Sequence, residues 1–79
     1  MKVKITFYGQ AADVIKSNSI EWDFDDRISA FGLKKSIQVK YPQISSIELK
    51  LAVNNKMVVK DFDLNDGDEI SVLPPFSGG

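Results

Sequence analysis

The chain contains neither cysteine nor histidine. Without cysteine there is no disulfide framework and no thiol nucleophile. Without histidine the usual neutral-pH acid–base group and the commonest metal ligand are both missing. Catalytic sets built on Ser-His-Asp or Cys-His, and the usual zinc sites, are therefore excluded by arithmetic, and no metal site is expected. A surplus of charge is missing too. Ten Lys and Arg stand against 11 Asp and Glu, for a net charge of −1. Nucleic-acid-binding domains show a basic surplus, so no nucleic acid is expected as a partner. No apolar run approaches the ~20 residues that a transmembrane helix needs. The opening Met1-Lys2-Val3-Lys4-Ile5 lacks the apolar stretch of a signal peptide. A cytoplasmic chain with no membrane partner is expected, and the lack of cysteine suits that compartment.

What is present is enough for one small domain. The chain has 79 residues, 43% of them hydrophobic. A chain of this size buries roughly 60–65% of its unfolded surface, so its core must be efficient. Val3, Ile5 and Phe7 alternate with Lys2, Lys4, Thr6 and Tyr8, which predicts a strand over 2–8. Residues 10–18 read as a loop, with room for a helical turn at Ala11-Ala12-Asp13-Val14. Ile20, Trp22 and Phe24 alternate with Glu21, Asp23 and Asp25, which predicts a second strand hairpinned to the first and an aromatic-rich inner face. Ser29 suits the N-cap of a helix running to about Tyr41, with Ala30, Leu33, Ile37 and Tyr41 on one face. Pro42 stops it, and 43–48 form a connector.

Leu49, Leu51 and Val53 predict a third strand, Asn54-Asn55 a tight turn, and Met57-Val58-Val59 a short fourth strand. After the turn at Leu64-Asn65-Asp66-Gly67-Asp68, a last strand runs from Glu69 to Leu73. Ile70 and Val72 point inward on it, Ser71 and Leu73 outward. Pro74-Pro75 cannot donate ladder hydrogen bonds and end the sheet. The order predicts an α+β domain: a mixed sheet crossed by one main helix, with the first and last strands parallel at its centre.

The last residues do not serve a core. In Pro74-Pro75-Phe76-Ser77-Gly78-Gly79 the two glycines add no packing, and glycine loses the most conformational freedom when ordered. They make sense if the end of the chain must enter a narrow slot in another protein. Six extended residues span at most about 20 Å. Pro74 and Pro75 would stiffen the base of such an arm, Phe76 would anchor it at the mouth of the slot, and Ser77, Gly78 and Gly79 would thread it. A terminal carboxyl titrates near about 3.3–3.7, so at neutral pH it is a carboxylate and a poor electrophile. Activating it needs a leaving group. No glycine-rich phosphate loop with lysine is present to bind ATP, so activation would belong to a partner. Tyr8 and Leu73 fall on the solvent side of adjacent strands, and Met57 follows the Asn54-Asn55 turn. Together they form a candidate docking face.

Three segments carry a resemblance: Ala52-Val53-Asn54, then Leu64-x-Asp66-Gly67-Asp68-Glu69-Ile70, then Pro74-Pro75-Phe76-Ser77-Gly78-Gly79. At this spacing they resemble the C-terminal signature of the molybdopterin synthase small subunits, the MoaD/ThiS family of β-grasp, ubiquitin-like sulfur carriers. The resemblance implies a β-grasp domain over residues 1–74 and a flexible tail over 75–79. It implies that a ubiquitin-activating-like adenylyltransferase uses ATP to convert the Gly79 carboxylate to an acyl-adenylate. A persulfide sulfur then replaces AMP, leaving a thiocarboxylate. The tail next enters the large subunit of a heterotetrameric molybdopterin synthase and gives its sulfur to cyclic pyranopterin monophosphate. No cofactor is bound by the carrier itself, and no side chain of it is catalytic. One departure stands out: members often carry Arg-Glu after the first strand, where this chain has Ala12-Asp13.

Other readings are weaker. Asp61-x-Asp63-x-Asn65 resembles a calcium loop, but its glycine falls one place late and position twelve is Val72. Lys34, Lys35, Lys40, Lys50, Lys56 and Lys60 are balanced by acids and read as hydrated surface. Trp22 reads as core, and Asp66-Gly67-Asp68 as the turn before the last strand. Three rivals share the terminus: a thiamine-pathway sulfur carrier, a modifier joining Gly79 to lysines of other proteins, and an interaction module with an inert tail.

Overall fold

Alternating apolar residues build a five-stranded mixed sheet in this protein. Its computed structural model describes residues 1–74. The expectations placed on Pro75, Phe76, Ser77, Gly78 and Gly79 lie outside the described residues. The elements are β1 (Lys2–Phe7), α1 (Gly9–Ile15), β2 (Ser19–Asp23), α2 (Ala30–Lys40), a 3-10 turn at Pro42–Ile44, β3 (Lys50–Val53), β4 (Lys56–Met57) and β5 (Glu69–Leu73). The strand order is β2-β1-β5-β3-β4. β1 and β5 run parallel, with Ile5 beside Ile70 and Phe7 beside Val72; the other pairs are antiparallel. The central parallel pair expected from the sequence is therefore present.

The period-two pattern sends Val3, Ile5 and Phe7 of β1 and Ile70 and Val72 of β5 to one face. There they meet Ala30, Leu33 and Ile37, the inner stripe of α2, in one buried cluster. The Ser29 hydroxyl accepts the Gly32 N–H at 3.0 Å, the cap its position suggested. The Asn54-Asn55 turn holds both residues at positive φ (50° and 70°), the conformation a two-residue hairpin with right-handed twist demands.

The structure corrects the reading of several elements. Residues 9–15 form a helix rather than a loop. Ala11 is fully buried, and Ala12, Val14 and Ile15 pack against the core. β4 is Lys56–Met57 rather than 57–59: the Val58 N–H still reaches the Leu51 carbonyl at 2.9 Å, but Val59 is 88% exposed. Ala52 is buried although it points to the outer face. Trp22 packs against the core but stays half-buried, because β2 is an edge strand. Its ring stacks on Phe24 at 5.0 Å between centroids, and the Lys40 ammonium lies 5.5 Å from its ring centre. No helix among the described residues is long and apolar enough to cross a membrane.

Candidate functional site

The turn residues that gave the sequence its signature act as a brace. Asp66 Oδ1 accepts the Lys2 N–H at 2.7 Å, and the Gly67 N–H donates to the Lys2 carbonyl at 2.7 Å. Gly67 sits at φ +86°, a conformation L side chains rarely adopt. Asp68 is buried, and both its carboxylate oxygens are used. Oδ1 accepts Asn54 Nδ2 at 2.9 Å and Oδ2 accepts the Asn65 N–H at 2.8 Å. Asn54 also joins β5 from both sides of its backbone: its N–H donates to the Glu69 carbonyl at 2.8 Å, and its Oδ1 accepts the Glu69 N–H at 3.0 Å. Asn54 and Asp66-Gly67-Asp68 thus pin the start of β5 to β1 and to the β3–β4 hairpin.

The opposite end of β5 carries the candidate site. There the Tyr8 N–H donates to the Val72 carbonyl at 3.1 Å, extending the β1–β5 register by one residue. Leu73 follows Val72 and Pro74 follows Leu73, both half-buried. Cross-strand partners share a face, so the register assigns the outer surface of the sheet. Lys2, Lys4, Glu21, Asp23 and Glu69 fall together at one end of it. Thr6, Tyr8, Ser71, Leu73, Ala52 and Met57 fall toward the other. Tyr8 and Met57 are about half exposed, 48% and 46%. Tyr8 and Leu73 lie on neighbouring strands. Met57 is three strand spacings away from β1, roughly 14 Å at the usual spacing. The structure therefore places Tyr8, Leu73 and Met57 on one surface, with small side chains between them, beside the point where the chain leaves the sheet.

A second apolar surface was not visible in the sequence. Phe31, Val59 and Phe62 are exposed. Phe31, Met57 and Val59 border one groove with Lys34, Glu48 and Lys50, and Met57, Val59 and Phe62 border a second with Lys56 and Lys60. Phe31 lies on α2 one residue past the buried Ala30, so the helical period alone could have marked it as outward. Val59 and Phe62 lie in irregular chain, where no period applies. The Asp61 side chain is committed as well: its Oδ1 accepts the Phe31 and Phe62 N–H groups at 2.9 and 3.0 Å. That contact ties the acid at the head of the 61–65 run to the start of α2.

The sequence model of the ThiS family matches residues 5–79. The molybdopterin synthase sulfur carrier subunit of Dictyostelium discoideum is 40% identical over 81 residues, covering 96% of this chain and 94% of that protein. Small archaeal modifier protein 3 of Haloferax volcanii is 29% identical, covering all of both chains. Among solved structures, a putative molybdopterin converting factor subunit 1 from Pyrococcus furiosus superposes with a TM-score of 0.86 at 21% identity, covering 96% of this chain and 99% of that one. At that identity the likeness concerns the fold. A chain of the protein–protein complex of subunits 1 and 2 of molybdopterin-converting factor from Helicobacter pylori superposes with a TM-score of 0.71 at 27% identity, with full coverage of both chains.

Proposed function

The chain belongs to the ThiS family, and from that premise we propose that it is the sulfur-carrier subunit of a molybdopterin synthase. The observation that carries this reading is the 40% identity, over nearly the whole of both chains, to a protein named as that subunit. The H. pylori complex supports a second subunit as partner. In this reading the protein contributes no catalytic side chain. Its one reactive group is the carboxylate of Gly79.

The proposed chemistry runs on partners' active sites. A ubiquitin-activating-like adenylyltransferase joins the Gly79 carboxylate to the α-phosphorus of ATP and releases pyrophosphate. A persulfide sulfur then attacks the acyl carbon and AMP leaves, giving an acyl disulfide. A partner's thiol attacks the donor-side sulfur of that S–S bond, is oxidised to a disulfide, and releases the thiocarboxylate. Once the terminus is a thiocarboxylate, its polarity has reversed and it acts as the nucleophile toward the pterin precursor. Five residues follow Pro74, so Gly79 lies at most about 18 Å from the sheet. A partner must therefore hold the domain close to its own active site. The face of Tyr8, Leu73 and Met57 is the surface we assign to that contact, for the activating enzyme and the large subunit in turn. The compartment in this reading is the cytoplasm.

Removal of Gly79 tests the reading. The shortened chain keeps its thermal unfolding transition and supports no sulfur transfer to the pterin precursor; transfer at the wild-type rate refutes the carrier role. Likeness to a small archaeal modifier protein favours a second reading, in which Gly79 is joined to lysines of other proteins. Lysine-linked adducts of higher mass in extract, dependent on Gly79, would mark that activity. Co-purification with a thiazole synthase in place of the large subunit would move the acceptor to the thiamine pathway.

A further inference from the structure

Gly9 lies where β1 ends and α1 begins, with φ +59°. Positive φ alone does not require glycine in this chain, since Lys16, Asn54 and Asn55 hold φ values of 62°, 50° and 70°. What sets Gly9 apart is its neighbour. A Cβ built on Gly9 would stand 3.0 Å from Cγ of Pro74, 3.6 Å from its Cδ and 3.7 Å from its Cβ. The Pro74 ring therefore lies directly on the bare Cα of Gly9. The seat is rigid on its other side: Tyr8 is hydrogen-bonded to Val72, and α1 is fixed by the fully buried Ala11.

We propose that Gly9 is a positioning residue for the reactive terminus: its bare backbone seats the Pro74 ring, and that contact sets the direction in which the chain leaves β5. The inference rests on the carrier reading above, because direction matters only if the end of the chain must reach a partner's active site. The arm beyond Pro74 is five residues long. The direction at its root sets which way the reacting carboxyl can be offered to a partner's active site, where displacements near 1 Å cost rate steeply. Pro74 in turn contributes more than a stiff φ. Its ring is the half of the contact that the tail supplies.

A matched pair of variants separates this role from ordinary backbone strain. Gly67 also has positive φ (+86°), yet a Cβ there meets nothing within 4 Å. Gly9→Ala and Gly67→Ala thus share the strain, and only the first meets the proline. The assay is pyrophosphate release from ATP by the cognate activating enzyme, with the carrier variants as substrates. For Gly9→Ala we expect kcat to fall about tenfold with KM within about twofold, because docking is intact and aim is lost. Gly67→Ala keeps the wild-type kcat. In the Pro74→Ala background the Gly9→Ala substitution has no further effect, because Cγ, the one ring atom it would crowd at 3.0 Å, is gone. Equal effects of the two glycine substitutions, or an undiminished effect of Gly9→Ala in the Pro74→Ala background, overturn the proposal. If Gly9→Ala fails to fold, the wild-type protein decides by NMR: a cross-relaxation peak between the Gly9 Hα and Pro74 ring protons is expected, and its absence overturns the seat. Failure of the wild-type chain to release any pyrophosphate would instead sink the carrier reading, leaving the seat to stand or fall on that peak.

Discussion

Asp68→Ala should be among the most destabilising single changes outside the apolar core. The carboxylate is buried and accepts two hydrogen bonds, from Asn54 Nδ2 at 2.9 Å and from the Asn65 N–H at 2.8 Å. Hydrogen bonds to a charged group contribute about 1.5–3 kcal/mol each, and because Asn54 and Asn65 are themselves exposed the low end of that range applies. A total near 3 kcal/mol is expected, against a whole-domain stability of roughly 4–12 kcal/mol at this length. For a domain of this size each kcal/mol moves Tm by about 4–8 °C, so Tm should fall by about 12–24 °C. Urea unfolding followed by tryptophan fluorescence from Trp22 measures it, with the midpoint lowered and the slope unchanged. The Asn54→Ala, Asp68→Ala pair should be less than additive, because the second change removes a partner already lost. An unfolding free energy within about 0.5 kcal/mol of wild type would show that the brace is not what holds the start of β5. Folded Asp68→Ala protein should still be charged at its terminus, because the brace lies at the end of β5 remote from the tail.

Three further outcomes follow from the same geometry. Ser29→Ala removes the cap on the Gly32 N–H and should cost about 1 kcal/mol by urea titration, with no change in charging rate. Leu33→Ala empties a fully buried position under the sheet and should cost about 2–5 kcal/mol. Tyr8→Asp and Met57→Asp should leave Tm within a few degrees while weakening binding to the large subunit at least about tenfold, read by calorimetry. Full affinity in both would remove the outer face of the sheet from the proposed interface.

The parts of this fold that repeat were legible in the sequence, and the parts that do not repeat were not. β1 and β5 alternate without interruption, so their inward sets, Val3-Ile5-Phe7 and Ile70-Val72, could be read directly. The helix from Ala30 announced itself through Ser29 and the Leu33-Ile37 spacing. α1 is seven residues long and opens on a glycine, too short for a period to rise above loop-like composition. Ile20 and Trp22 have the alternation of a core strand, but alternation reports which face a residue is on. How deeply it is covered depends on the neighbours, and β2 has one only on one side. Val58 and Val59 read as strand because β-branched residues favour it, yet the ladder ends at Met57 and leaves Val59 in solvent. Of the candidate site, Tyr8 and Leu73 could be assigned outward from sequence, while Met57 was placed only by its neighbouring turn, and their common face needed the register. The contact between Gly9 and Pro74, 65 positions apart by their numbering, had no local signal. The Asn54 and Asp66-Gly67-Asp68 signature was legible as a resemblance. Its physical meaning, a hydrogen-bonded brace, came from the structure.

The central claim is that Gly79 is the group this chain offers for chemistry. Intact mass spectrometry of the protein produced together with its activating enzyme and a persulfide source tests it most directly. The account predicts a mass gain equal to one oxygen exchanged for sulfur, mapped by fragmentation to Gly79. An unchanged mass while the activating enzyme is shown to be turning over, or sulfur located on any other residue, would contradict it.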